Sequence, residues 1–169
     1  FEMTFIDVGQ GDGIYMETPE GTTVLIDGGS SDNKKLYEYT LEPFLLSKGR
    51  KKLDAVIDTH CDNDHISGIR KIFTEDNIKV KTLYMPSTTM TDEVYTELIE
   101  LAAESGTDIK YIYEGYSMTE KDFYMYCLHP EYEYDTSERN DYSTTLYIRY
   151  DNFSALLTGD ISGEVASNI

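Results

Sequence analysis

An apolar strand that runs directly into a cluster of histidines and acidic residues restricts the possible folds of this chain more than any other feature. The strand is LDAVID, residues 53–58, and the cluster is DTHCDNDHISG, residues 58–68. After the cluster, apolar residues recur at the spacing of a helix: Ile66, Ile69, Ile72 and Phe73. Layered α/β folds bind ligands where a buried strand ends and a helix begins, so the sequence predicts a site here.

The cluster is open to two interpretations. Residues two apart in an extended or looped backbone point the same way, so His60, Asp62 and Asp64 can converge. His65 can reach the same point from the next turn. Imidazole and carboxylate ligands together suit Zn²⁺, Mn²⁺ or Fe, which predicts a metal site. In the alternative interpretation, Asp62 or Asn63 caps the helix and His65 lies on its surface.

The remaining elements predict an α/β layered fold in one domain, residues 1–169. A helix is expected over residues 36–45, with a kink or restart at Pro43, and another helix is expected after a Thr91 cap. The loop 130–142 is long and polar, which is typical of functional loops. The expected strands are 3–8, 14–18, 23–27, 53–58, 80–85, 109–113, 122–129, 143–150 and 153–160.

The charge of the chain limits its partners. It has 32 acidic residues against 14 basic ones, a formal net charge of −18. Most of this excess is typical of a soluble, self-repelling surface, and part of it can serve a cation site. Such a surface repels DNA unless a basic or metal-loaded patch binds it. Six basic residues around the first helix are candidates for that patch, or else form a solvated helix end: Lys34, Lys35, Lys48, Arg50, Lys51 and Lys52.

Three further features of the sequence concern membrane spans, the first residue and the cysteines. No run of apolar residues is long enough for a transmembrane helix, so this chain is expected to contain no membrane span. The first residue is Phe1 rather than methionine, which predicts an excised domain or a processed chain. Cys61 and Cys127 can pair in one disulfide or stay free, because two cysteines do not make a disulfide framework.

The motifs together resemble the metallo-β-lactamase fold, and most closely its ComEC-type branch. THCDNDHISG is similar to the signature THxHxDHxGG, and that branch commonly has aspartate where Asp62 stands. FIDVGQGDGIYMETPEGTTVLIDGG, residues 5–29, is similar to the N-terminal pattern hVDVGQGDxxlix…gxxxLiDxG of the branch. LHP, NDYSTTLYIRY and FSALLTGDIS are similar to its LhP, NxxSlVlrl and fLltGDi segments, in the same order. The resemblance covers essentially the whole chain.

This resemblance implies an αββα sandwich with two divalent metal ions, zinc or manganese, at the edge of its sheets. Asp27 resembles the buried acid that orients the histidine loop, with a strand-end turn residue as the alternative. Six residues match ligand positions of the family: His60, Asp62 and His129 for the first ion, and Asp64, His65 and the bridging Asp160 for the second.

The sequence departs from the family pattern in two ways. The family has a further histidine beyond the TGD segment, whereas this chain has three histidines and stops at Ile169. We therefore expect an incomplete second metal site and a fold that is C-terminally incomplete or divergent. Asp62 in place of histidine raises the share of carboxylate ligands, which weakly favours Mn²⁺ over Zn²⁺.

Two metal ions would support hydrolysis by an activated water. Asp64 would be the catalytic residue that orients this water. Asn140 and Ser143 can donate hydrogen bonds to a phosphate, or else form an ordinary turn. Gln10 and Asp12 can lie at the rim of the site, or else form a hairpin bend.

The resemblance implies a metal-dependent phosphodiesterase or nuclease domain of a DNA-uptake protein that also carries a membrane channel. DNA or a small phosphodiester would then be the substrate. Such a domain is extracytoplasmic in a bacterial membrane protein, or secreted, and a cytoplasmic location stays open. Two alternatives remain: a stand-alone hydrolase of a small ester, thioester or lactam, and a non-catalytic domain that keeps the fold without a working site.

Overall fold

Two β-sheets and four helices make up the computed structural model, which describes residues 1–75 and 77–169 and, for Glu164, the backbone alone. A π-helical turn, Tyr37–Leu41, leads into the first helix, and a 3-10 turn, Asn140–Tyr142, precedes the ninth strand. The helices are α1 (Glu42–Ser47), α2 (Asn63–Glu75), α3 (Glu93–Glu104) and α4 (Gly163–Ala166). The strands are β1 (Glu2–Phe5), β2 (Ile14–Glu17), β3 (Thr23–Ile26), β4 (Lys52–Ile57), β5 (Lys79–Pro86), β6 (Asp108–Ile112), β7 (Ser117–Glu120), β8 (Phe123–His129), β9 (Thr145–Tyr150) and β10 (Phe153–Leu157).

The first sheet gathers the candidate site at one edge. Its strand order is β1-β2-β3-β4-β5-β6. The strands β1 to β3 form an antiparallel meander, and β3 to β6 are parallel neighbours. Parallel strands end at the same edge of a sheet, so the residues after β3 and β4 meet there. Those residues are Asp27 and the cluster 58–68.

The second sheet is antiparallel, with the order β10-β9-β8-β7, and it packs face to face with the first. The alternation of β3 shows how the layers form: Val24 and Ile26 face the second sheet, whereas Leu25 faces the helices. Strand β7 was not predicted because none of its four residues is buried and it carries no apolar pattern. Helices, first sheet and second sheet thus form successive layers, which confirms the predicted α/β architecture.

The structure decides three local predictions. The cap of α3 is Asp92 rather than Thr91, because the Asp92 carboxylate accepts a hydrogen bond from Tyr95 N at 3.0 Å. The predicted restart near Pro43 is confirmed, because the π-helical turn ends at Leu41 and Pro43 lies in the first turn of α1, where proline is well tolerated. Cys61 and Cys127 are both free thiols, buried in different cores.

The basic residues near the first helix do not all face the predicted site. Lys48 pairs with Glu2, and Arg50 pairs with Glu17. Both cations lie just before β4, whereas the histidine cluster follows it, so the length of the strand, about 17 Å, separates them. For Lys48 and Arg50, the interpretation as a solvated helix end therefore fits better than that of a DNA-binding patch.

Two negative findings apply to the described residues. No helix among them is both long and apolar enough to cross a bilayer. In residues 1–75 and 77–169, α4 is the only helix that follows the strands of the second sheet, and it has four residues. That chain 1–169 is a single domain stays a prediction.

Backbone contacts hold helix α2 against the loops that precede it in the sheet. Gly28 N donates to His65 O at 2.9 Å, and Gly68 N donates to Gly28 O at 2.8 Å. A Cβ atom at Gly68 would lie 2.2 Å from Gly28 O, which is closer than any real contact. Glycine at position 68 therefore permits the close approach that places the start of α2.

We expect Gly68→Ala to destabilise the fold by about 2 kcal/mol, because the added methyl group forces the helix and the loop apart. Alanine normally stabilises a helix relative to glycine. A decrease in the free energy of unfolding would therefore come from the close contact with Gly28 and not from helix propensity. Chemical denaturation measures it, with Thr74→Ala on the exposed side of the same helix as the control. Equal or greater stability of Gly68→Ala would show that the contact does not constrain the fold.

Candidate metal centre

Four loops meet at the edge of the first sheet. They follow β1, β3, β4 and, from the second sheet, β10. The loop after β1 touches the start of α2, where Asp12 N donates to Asp64 O at 3.1 Å. Gly11 allows this approach because a Cβ atom there would lie 2.3 Å from Asp64 O. The loops thus bring residues from distant parts of the sequence together around the two histidines of the cluster.

The carboxylate of Asp27 orients the histidine loop. Its Oδ1 accepts from Thr59 N at 2.9 Å, and its Oδ2 accepts from Thr59 Oγ1 at 2.7 Å. The same Oδ2 accepts from His65 Nδ1 at 2.8 Å. A histidine that donates from Nδ1 presents the lone pair of Nε2 to the other side when it is neutral, which is the arrangement of metal-binding histidines. These contacts agree with the predicted position of Asp27 beside the histidine loop, and its role at a metal site stays a prediction.

The ring nitrogens of His60 and His65 face a common space with Asp160. The two ring centroids are 4.0 Å apart, and His65 Nε2 lies 3.4 Å from Asp160 Oδ1. His60, His65 and Asp160 each offer a ligand atom, and these atoms lie within 4.8 Å of one another. A second such group is formed by Asp12, Asp27 and His65. These distances and atom types fit a divalent transition metal.

His60 supplies the most specific sign of a missing ligand. Its Nε2 is buried and has no hydrogen-bond partner within the described ranges, and it lies 3.6 Å from Asp62 Oδ2. Thr59 Oγ1 donates its own proton to Asp27 and lies 3.2 Å from Nδ1 of the His60 ring. A proton on Nδ1 would satisfy this contact and leave the lone pair of Nε2 free to bind. A buried polar atom without a partner is costly, and a cation between His60 and Asp62 would satisfy it.

The two histidines have opposite electrostatic environments. Burial, reinforced by the charge of His65, lowers the pKa of His60. Burial also acts to lower the pKa of His65, but the hydrogen bond and charge of Asp27, with the charges of Asp160 and Asp12, outweigh it and raise the pKa to about 9. His65 is therefore protonated at neutral pH when no metal is bound. Burial raises the pKa of the Asp12 carboxyl as well.

Asp62 is held by an arginine that the sequence analysis missed. Arg139 Nη1 donates to Asp62 Oδ1 at 2.8 Å, while its Nε and Nη2 donate to Asp92 Oδ2 at 2.9 and 2.6 Å. Arg139 comes from the long polar loop between β8 and β9. The length of that loop was the signal available in the sequence, but nothing there singled out the arginine.

The structure does not bring His129 to the other predicted ligands. Its Nε2 donates to the Asp141 carbonyl at 2.6 Å, and its ring packs edge-on against Tyr134. Burial lowers the pKa of His129. It belongs to neither group of clustered ligand atoms, and its role as a ligand stays a prediction.

The remaining predicted site residues differ in how far they are exposed to solvent. Asp64 is half-buried in the first turn of α2, and Asp12 is half-buried beside it. Gln10 is exposed, and its backbone N donates to Asp32. Asn140 lines an open cleft next to Asp62, whereas Ser143 is fully buried, with no partner for Oγ among the described residues. Asn140 is thus accessible to a substrate in this arrangement and Ser143 is not.

Comparison with known proteins agrees with this geometry. Residues 6–111 match the metallo-beta-lactamase superfamily. The chain is 35% identical over 176 aligned residues to ComE operon protein 3 of Bacillus subtilis (strain 168). That alignment covers 96% of this chain but 22% of the relative, so the chain spans about a fifth of that protein.

Solved structures share the fold at low sequence identity. A candidate metallo-β-lactamase from Thermotoga maritima superposes with a TM-score of 0.62 at 15% identity, covering 99% of this chain and 90% of that one. CmlA, a diiron β-hydroxylase from Streptomyces venezuelae, superposes with a TM-score of 0.54 at 19% identity, covering 94% of this chain and 30% of that one. Together, the layered fold, the clustered ligand atoms and the match over residues 6–111 establish that the chain belongs to the metallo-β-lactamase superfamily.

Proposed function

We propose that this chain is a metal-dependent phosphodiesterase that acts on DNA or on a small phosphodiester. The observation that carries the proposal is the buried Nε2 of His60, which lacks a partner in the described part of the chain and faces Asp62 beside His65 and Asp160. The resemblance of the motifs to the ComEC-type branch, together with 35% identity to ComE operon protein 3, supports a place in DNA uptake. With that role, the domain would lie outside the cytoplasm, next to a membrane channel of its parent protein.

The proposed ligands divide between two ions, zinc or manganese. His60 and Asp62 would hold one, His65 and Asp64 the other, and Asp160 would bridge them, while His129 would need to leave the Asp141 carbonyl to take part. Bound divalent ions supply activation of water and stabilisation of negative charge on the phosphoryl oxygens.

Three residues would orient a metal ligand, accept a proton and bind the substrate. Asp27 fixes the ring of His65 through the hydrogen bond to Nδ1. Asp64, half-buried at the start of α2, would accept a proton from the attacking water. Asn140, on the wall of the cleft, would donate to a phosphoryl oxygen.

A small uncharged ester, thioester or lactam is the second candidate substrate. The net charge of −18 and the ion pairs of Lys48 and Arg50 at the far end of β4 favour it, because neither feature attracts a polyanion. Assays on both substrate classes separate the two proposals.

We expect metal affinity to rise with pH by about tenfold per unit across neutral pH, because a metal must displace the proton that His65 holds up to its pKa of about 9. The rise should flatten near that pKa, where the proton no longer competes. Calorimetric titration with Mn²⁺ in two buffers of different ionisation enthalpy measures the released proton directly. An affinity independent of pH, with no proton release, would mean that His65 is not a ligand.

We expect the metal-loaded chain to hydrolyse bis(p-nitrophenyl) phosphate and single-stranded DNA, and Asp64→Asn to lose about 100-fold or more of this activity. Glu100→Gln, on the surface of α3, is the matched control and should keep wild-type activity. Cleavage of p-nitrophenyl acetate or a lactam alone would favour the second candidate. No hydrolysis of any of these substrates by fully loaded protein would support a non-catalytic domain.

A further inference from the structure

We propose that Arg139 recognises the anionic phosphoryl group of the substrate beside the metal centre. This inference rests on the proposed phosphodiesterase function and names the residue that selects a negatively charged substrate. Arg139 lines a cleft of about 440 Å³ together with Asp62 and Asn140. The same cleft is therefore lined by a proposed metal ligand, Asp62, and by a proposed substrate donor, Asn140.

The guanidinium group has unused donors. An arginine carries five N–H groups in a planar fork. Three of them donate to protein: one to Asp62 Oδ1 and two to Asp92 Oδ2. The other two have no partner among the residues that the structure describes, and 29% of the side chain is exposed. A guanidinium with two remaining N–H groups can donate to the oxygens of a phosphoryl group.

Arg139 is held in place before any substrate arrives. Asp92 is itself fixed, because it caps α3 through Tyr95 N. The guanidinium is thus bound between the start of α3 and the histidine loop. Little side-chain freedom remains to be lost on binding, which favours recognition.

The charges of the cleft make this recognition depend on metal. Arg139 is the only basic side chain among the described residues that line it, and acidic side chains of Asp62, Glu138 and Asp141 line it too. Without metal the cleft is net negative and repels an anion. Divalent ions at His60 and Asp62 would offset that charge, and Arg139 would then share the phosphoryl oxygens with them.

The test is calorimetric titration of the Mn²⁺-loaded full chain with inorganic phosphate. We expect Arg139→Ala to weaken phosphate binding by about tenfold or more, as the loss of charge-assisted hydrogen bonds implies. Arg139→Lys, which keeps the charge without the fork, should fall between Arg139→Ala and wild type. The metal content and thermal midpoint of each variant show that the protein is folded and loaded.

Asp92→Asn is the matched variant that distinguishes recognition from support of the loop. Asparagine caps a helix as well as aspartate does, so α3 is preserved. With the amide oxygen capping Tyr95 N, the amide NH2 replaces Oδ2, so Arg139 loses its anchor on α3 but keeps its charge and its bond to Asp62. We expect phosphate affinity between that of wild type and that of Arg139→Ala. A structural role for the Arg139–Asp92 pair would instead predict that Asp92→Asn and Arg139→Ala impair binding alike.

Three results would overturn the proposal. These are unchanged phosphate affinity in Arg139→Ala, equal losses in Arg139→Ala and Asp92→Asn, and no phosphate binding by the loaded wild type. The outcome is separable from that of the proposed function. Arg139-dependent phosphate binding without phosphodiester hydrolysis would retain Arg139 as an anion-binding residue and remove the phosphodiesterase. Phosphodiester hydrolysis with unchanged phosphate affinity in Arg139→Ala would retain the proposed phosphodiesterase and remove the proposed role of Arg139.

Discussion

The buried carboxylate of Asp27 is the interaction on which the site depends. It accepts hydrogen bonds from Thr59 N, Thr59 Oγ1 and His65 Nδ1, and so ties the end of β3 to the loop after β4 and to the start of α2. A buried charge without partners is strongly unfavourable, so the loops must close around it for the chain to fold. Asp27 adopts φ of 55°, a conformation uncommon outside glycine that aspartate tolerates better than most residues. The carboxylate that joins these loops therefore also orients the ring of His65.

The surroundings of that carboxylate are rich in like charge. Asp12, Asp62, Asp64 and Asp160 lie around the two histidines, and carboxylates gathered in this way repel one another. In the metal-free protein the proton on His65 offsets part of the repulsion, which is the reason that its pKa is raised. A divalent cation would offset more of it. The arrangement is thus one that a cation would stabilise, as the proton on His65 does.

The sequence allowed more of the fold than of the site to be predicted. Alternating apolar strands and helical spacing located the elements, but β7 is polar and gave no signal. The fold brings together ligand atoms of His60, His65 and Asp160. Local spacing and the family resemblance both predicted the two histidines, whereas the resemblance alone predicted Asp160. Arg139 was missed because its partners Asp62 and Asp92 lie 77 and 47 residues away, and only the folded loop brings them together. His129 ends the predicted strand, yet the ring orientation that engages Asp141 depends on the following loop, which sequence patterns do not determine.

Metal content is the measurement that tests the account most directly. The chain would be purified without chelator, supplied with Mn²⁺ or Zn²⁺, freed of excess ion and analysed by mass spectrometry for metal per mole. The account predicts between one and two equivalents, lost in His60→Ala and Asp160→Ala and retained in Glu97→Ala, an exposed acid of α3. Less than about a tenth of an equivalent in folded wild-type protein, or full metal content in both site variants, would contradict it.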